Sequence, residues 1–192
     1  MSITIIAEIG INHNGDLNIC KQLIDVAKDS GADCVKFQKR DINQVYTQEF
    51  LDSPRESPWG QTQRDQKQTL EFGKKEYDEI DKYCNSKGIK WFASVWDKDS
   101  VDFMSNYNNI TKIPSALITN KKLITYARAK FDYLIISTGM SGIDEIVSVA
   151  KKFGTKVSFI HTQLTFEPKD TNLKAIQTII EKYKIPVGYG NH

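Results

Sequence analysis

The stretch Ile3-Thr4-Ile5-Ile6-Ala7-Glu8-Ile9-Gly10-Ile11-Asn12-His13-Asn14-Gly15-Asp16 sets the terms on which the rest of the chain is read. A β-branched run carries one carboxylate, Glu8, near its end, then breaks into a Gly/Asn/His turn ahead of a helical pattern. The pattern predicts a strand that delivers polar groups to its own C-terminal tip. A carboxylate inside such a strand is costly to bury unless a cation, a metal or a hydrogen-bonding substrate meets it.

From there the chain alternates. A helix is predicted over residues 17–30, where Ile19, Leu23, Ile24, Val26 and Ala27 fall at helical spacing and Gly31 closes it. A second strand follows at 34–38, then a long polar loop, 41–72, broken by Pro54 and Pro58 and expected to be functional or mobile. Five more helix–strand pairs are predicted: 74–86 with 91–97, 98–106 with 110–115, 120–129 with 133–137, 142–153 with 156–162, and 173–183 with 186–192.

Alternation at this spacing predicts parallel strands with right-handed crossovers, in a doubly wound sheet or an eight-fold barrel. No Gly-rich phosphate loop follows the first strand, which weighs against the first option. Nearly every strand ends in reactive polar residues: Glu8, Lys36 and Gln38, Ser94 and Asp97, Lys112 and Ser115, Ser137 and Thr138, His161 and Gln163, Asn191 and His192. In a (β/α)8 TIM barrel such positions share one face, so the expected fold is a single α/β domain over residues 1–192, an incomplete barrel of about seven strands.

Alternation along the second strand sends Cys34, Lys36 and Gln38 one way and Val35 and Phe37 toward the helices. Lys36 then points inward, and Lys112 is similarly embedded in an apolar strand. Two inward ammonium groups with the hydroxyls of Ser94 and Ser115 suit a phosphate or carboxylate. The plainer alternative is that each lysine pairs with a nearby acid such as Glu8. The histidines divide further: His13 is a turn residue with or without chemistry, His161 a ligand or a satisfied core histidine, and His192 the best metal-ligand candidate. No HxH or HxxxH spacing supplies it with a partner.

The 192 residues carry a formal net charge of +2 from interspersed lysines and acids, which steers the chain toward neither nucleic acid nor a membrane surface. Cys20, Cys34 and Cys84 form no CxxC pair and fit reduced thiols. No secretory leader and no bilayer-length apolar run is found, so a cytoplasmic protein is expected.

Several short stretches, AEIGINHNGD, CVKFQ, RDQKQTLEF (Arg64 to Phe72), KIPSALITN (Lys112 to Asn120), ISTGMS (Ile136 to Ser141), NLKAIQTI (Asn172 to Ile179) and PVGYGNH, together resemble the barrel domain of the sialic acid synthase family, in the family's order. The resemblance implies condensation of phosphoenolpyruvate with N-acetylmannosamine or a related N-acetylated amino sugar, releasing phosphate and yielding a nine-carbon 2-keto sugar acid. It implies that Lys36, Lys112, Ser94 and Ser115 hold phosphoenolpyruvate, that Gln38 contacts the sugar, and that Glu8 is an acid beside the reacting centre. His192 matches the first of two histidines for a divalent metal, Mn²⁺ or Mg²⁺. His161 and Gln163 complete the expected substrate-binding set, and a homodimer is the expected assembly.

The chain also departs from the family's pattern. Pro114, Ala116 and Leu117 replace a Gly-rich segment ending in an acid; Leu164 and Phe166 stand where polar and Tyr side chains are usual; Gly190 replaces a serine. The second metal histidine, the eighth strand and a small antifreeze-like C-terminal domain would lie beyond His192. Two alternatives therefore stand beside the synthase: a non-catalytic anion-binding remnant or subunit, and another phosphoenolpyruvate or aldol-type sugar synthase.

Overall fold

The structure is a computed structural model that describes residues 3–163 and 167–190, with the backbone alone at Thr155. The chain divides into two compact units, Met1–Tyr107 and Asn108–His192.

In the first unit, β1 (Ile6–Gly10) leads through α1 (Leu17–Asp29) to β2 (Cys34–Lys39). Asp16 caps α1 by accepting the Asn18 N–H at 2.6 Å, and the helix buries Cys20, Ile24 and Ala27. β1 starts three residues later than the sequence pattern suggests. Ile3 and Ile5 are solvent-exposed, and Ile5 is tied down through its backbone, its N–H donating to Asp33 Oδ2 at 2.8 Å and its carbonyl accepting the Asp33 and Cys34 N–H groups.

The stretch 41–72, expected as a loop, is instead built of short elements: α2 (Ile42–Val45), α3 (Gln48–Asp52), an antiparallel hairpin of β3 (Pro54–Ser57) and β4 (Gly60–Thr62), and α4 (Gln63–Thr69). Local polar chemistry overrides the composition. Thr62 and Asp65 form a capping box at the start of α4, and Arg64 reaches Asp52, Gln48 and Asn43, while Leu51 and Leu70 are buried beneath.

The unit closes with α5 (Lys74–Lys87), β5 (Lys90–Val95) and α6 (Lys98–Met104). β1, β2 and β5 are parallel neighbours, with Glu8 beside Lys36 and Gln38 beside Ser94. Paired residues in a parallel ladder face the same way, so Glu8, Lys36, Gln38 and Ser94 share one face. Val35, Phe37, Trp91, Ala93 and Val95 fill the other, all buried. There Tyr77 of α5 stacks on Trp91 at 5.8 Å and meets Phe37 edge-on. Cys20, Cys34 and Cys84 are buried free thiols whose pKa values burial pushes up to about 12.

Among its described residues the second unit has four parallel strands and three α-helices: β6 (Ile110–Ile113), α7 (Lys121–Lys130), β7 (Tyr133–Ser137), α8 (Ile143–Phe153), β8 (Val157–Thr162), α9 (Lys174–Tyr183) and β9 (Val187–Gly190). β6 ends earlier than expected because Pro114 donates no N–H, and Ser115–Leu117 turns into a short 3-10 helix. Ile113, Leu134, Ile136, Val157 and Phe159 are wholly buried against the helices. The opposite face carries Lys112, Ile135, Ser137, Ile160, Thr162, Gly188 and Gly190. Among the described residues no helix is long and apolar enough to cross a membrane.

Candidate functional site

The first unit gathers four of the expected residues. Lys36 Nζ lies 2.7 Å from Glu8 Oε2, and Lys36 is 3% exposed while the Glu8 side chain is 37% exposed. The sequence cast Glu8 as the buried charge needing company; the structure reverses this, because β1 leaves Glu8 open to solvent and β2 is covered. The plainer reading of Lys36, that it pairs with Glu8, is therefore realised.

Burial pulls the Lys36 ammonium below the usual lysine range, and the Glu8 carboxylate opposes it. Lys36 Nζ also donates to the Phe37 carbonyl at 3.3 Å, and the buried Ser94 hydroxyl donates to the same oxygen at 3.4 Å. Gly10, at φ +57°, lets this cluster close: a Cβ there would stand 3.0 Å from Glu8 Oε1 and 3.4 Å from Gln38 Nε2. Glu8, Lys36, Gln38 and Ser94 thus form one polar group at neighbouring strand tips.

In the second unit Lys112 and Ser137 share a face at the ends of β6 and β7, and Ser137 Oγ is buried without a hydrogen-bond partner among the described residues. Ser115 Oγ approaches Gly139, where an added Cβ would meet it at 2.9 Å and the Thr162 carbonyl at 3.2 Å. The same face narrows at β9. A Cβ on Gly190 would lie 2.7 Å from Ile160 Cγ2, and one on Gly188 would lie 2.9 Å from Ile160 Cδ1, so Ile160 occupies the space that side chains at 188 and 190 would need.

His161 is not part of this face; Gln163, just beyond β8, lines a cleft together with His161 and Thr162. His161 pairs with Tyr189 in register, one residue out of step with Ile160 and Thr162, and so points to the helix side. There it is 9% exposed, with Nε2 2.9 Å from the Thr171 carbonyl. Leu164, Phe166 and His192 lie outside the described residues.

His13 proves to be a packing residue. It is 2% exposed and stacks on Phe72 at 3.9 Å, and its Nδ1 accepts the Gly15 N–H at 3.1 Å. Burial lowers its pKa to about 4. The unfolded histidine, with its ordinary pKa near 6.5, therefore takes up a proton first as pH falls. Stability from neutral His13 should be full above about pH 6.5 and decline by about 2–3 kcal/mol on going down to about pH 4.5. Urea unfolding of wild type and His13→Gln at both pH values checks this; parallel losses in the two proteins would refute it.

Asp97, expected among the reactive strand ends, is likewise structural: it caps α6 through the Ser100 N–H at 2.7 Å and accepts the Asp41 N–H at 2.7 Å. The pattern also missed a buried ion pair. Arg40 Nε lies 2.6 Å from Glu71 Oε1, and Glu71 Oε2 accepts the Arg40 N–H, while burial holds the Glu71 carboxyl above its usual range. The available signal was Glu71 standing alone between Leu70 and Phe72.

Among the described residues no group of three or more His, Cys, Asp and Glu is arranged to hold a metal ion. The residue expected to do so, His192, lies outside them.

Known proteins place this arrangement in a class. The crystal structure of a sialic acid synthetase from Leptospira borgpetersenii, in complex with citrate, matches with a TM-score of 0.85 at 30% identity, over 100% of this chain and 66% of that one. The fold is accordingly an incomplete (β/α)8 barrel with seven parallel strands, as the sequence suggested. Residues 23–192 match the NeuB family, and the chain belongs to that family.

The N,N'-diacetyllegionaminic acid synthase of Legionella pneumophila is 36% identical over 206 residues, covering 100% of this chain and 58% of the relative. Human N-acetylneuraminate-9-phosphate synthase is 33% identical over 197 residues, covering 98% and 55%. The chain thus spans little more than half the length of these relatives.

Proposed function

We propose that this chain carries the catalytic barrel portion of a sugar acid synthase that condenses phosphoenolpyruvate with N-acetylmannosamine or a related amino sugar. The observation that carries this reading is the buried Lys36 ammonium, paired with Glu8 and set beside Gln38 and Ser94 at adjacent strand tips in a NeuB-family chain. Lys36 and Lys112, with Ser94 and Ser115, hold the phosphate and carboxylate of phosphoenolpyruvate, and Gln38 hydrogen-bonds the sugar.

Carbon 3 of phosphoenolpyruvate attacks the sugar aldehyde; water then adds at carbon 2, and phosphate departs to leave the 2-keto acid. Glu8 is exposed enough to exchange protons with this centre and close enough to Lys36 to answer to its charge. A divalent cation, Mn²⁺ or Mg²⁺, with His192 as its ligand from this chain, belongs to the proposal; when bound it polarises the aldehyde oxygen.

The test is phosphate release from phosphoenolpyruvate, Mn²⁺ and N-acetylmannosamine, run on the full-length gene product containing these residues. Release that requires the sugar is expected; release without sugar, or none with any amino sugar, would remove the reading. A second reading, an anion-binding chain without turnover, is favoured by the Ile160–Gly190 contact, which sets methyl groups where the family has a hydroxyl.

A further inference from the structure

β2 and β5 run in register as far as the Lys39–Val95 pair, with Gln38 beside Ser94 one step earlier. The next residues of that parity are Arg40 and Trp96, about 7 Å further along the strands than Gln38 and Ser94. Asp97 is still extended, at φ −149° and ψ 174°, so the alternation runs on through Trp96. Trp96 is half-buried. A partly open indole therefore follows Ser94 on the site's parity, where a sugar held at Gln38 extends outward.

The ring is backed by a fixed guanidinium, with Arg40 Cζ 5.8 Å from the Trp96 ring centroid. Arg40 is buried. Glu71 takes its backbone N–H and its Nε, and Nη1 donates to the Tyr46 hydroxyl at 3.0 Å. Two donors are left over: Arg40 Nη2 and Trp96 Nε1 are buried without a hydrogen-bond partner among the described residues. Unpaired buried N–H groups are costly, so a pair of them on the two partners of one ring contact calls for an acceptor. A water molecule would satisfy the donors and leave the open part of the indole unused. An acylamino group suits both, because its carbonyl is a strong acceptor and its methyl is an apolar body for the ring.

We propose that Trp96, held by Arg40, is a specificity-determining residue that receives the acylamino group of the acceptor sugar. The methyl packs on the indole, and the carbonyl accepts from the unpaired N–H groups. This rests on the reading of the chain as part of a phosphoenolpyruvate-dependent sugar acid synthase, and adds to it the feature of the acceptor that the first unit recognises.

The test compares N-acetylmannosamine with mannose, which has a hydroxyl in place of the acetamido group, in phosphate release by the full-length gene product with phosphoenolpyruvate and Mn²⁺. Wild type should prefer the N-acetylated sugar. Trp96→Phe keeps a ring and loses the N–H; it should raise KM for N-acetylmannosamine about tenfold and lower the preference over mannose by about as much. Trp96→Leu loses the ring as well and should go further. KM for phosphoenolpyruvate should stay within about twofold in both variants, a sign that the fold and the Lys36 cluster are intact. An unchanged preference between the sugars, or a matching rise in KM for phosphoenolpyruvate, would overturn the proposal and leave the synthase reading standing. If wild type releases no phosphate with any sugar, the synthase reading falls by itself and binding decides the site. A saturable change in tryptophan fluorescence with N-acetylmannosamine that Trp96→Phe abolishes would then support it, and the absence of that change would overturn it.

Discussion

Lys36→Met is expected to weaken phosphoenolpyruvate binding about a hundredfold while leaving the protein at least as stable as wild type. The two effects separate because the ion pair is lopsided. Lys36 is almost wholly buried and Glu8 is more than one-third exposed. Removing the ammonium relieves a desolvated charge, and water takes over the carboxylate. Removing the carboxylate strands the ammonium, so Glu8→Gln should cost about 2–3 kcal/mol, below the loss for a fully buried pair because Glu8 is solvated.

The pH dependence follows from the direction of the Lys36 shift. Its folded pKa lies below the ordinary 10.5, so the unfolded chain binds the extra proton in the window between the two values. Stability of wild type relative to Lys36→Met should therefore rise with pH as the solution approaches pH 10.5. Urea denaturation across that range, with calorimetric titration of phosphoenolpyruvate, measures both arms. Equal destabilisation by Lys36→Met and Glu8→Gln would show that the asymmetry has no energetic meaning.

The largest loss of stability is expected at Tyr77. Its ring is 1% exposed and touches Phe37, Phe72, Trp91, Phe103 and Tyr107, so Tyr77→Ala opens a large cavity and should cost about 3–5 kcal/mol. Tyr77→Phe keeps the packing and removes one hydrogen bond, from the hydroxyl to the Gln38 carbonyl at 2.8 Å. That change should cost about 1–2 kcal/mol. It should also loosen the tip of β2, seen as faster amide exchange at residues 38–40. A Phe variant as damaged as the Ala variant would mean that the hydroxyl, not the ring, anchors the core.

The frame of the fold was legible because periodicity reports burial. The split between Val35/Phe37 and Lys36/Gln38 follows directly from strand alternation, and the observed faces agree with it. The same rule, carried through to β8, separates His161 from the face of Ile160 and Thr162; counting polar residues at strand ends without their parity had grouped His161 with Lys112 and Ser137. The segment 41–72 was misjudged because its stability comes from caps and fork-shaped arginine contacts, which leave no apolar rhythm. The roles of His13 and Asp97 depend on Phe72 and on Asp41 with Ser100. Residue type alone cannot choose between a packed histidine or capping aspartate and a reactive one.

The close fit of Ile160 against Gly190 also constrains how this lineage can change. A single codon change that puts serine at 190 brings its Cβ against a branched side chain fixed by its own strand, so that step is disfavoured whatever the new hydroxyl offers. Trimming Ile160 first opens the path, at the expense of a void beside β9. The order of mutations is thereby imposed by geometry, and ancestors or descendants bearing serine at 190 should carry a smaller residue at 160.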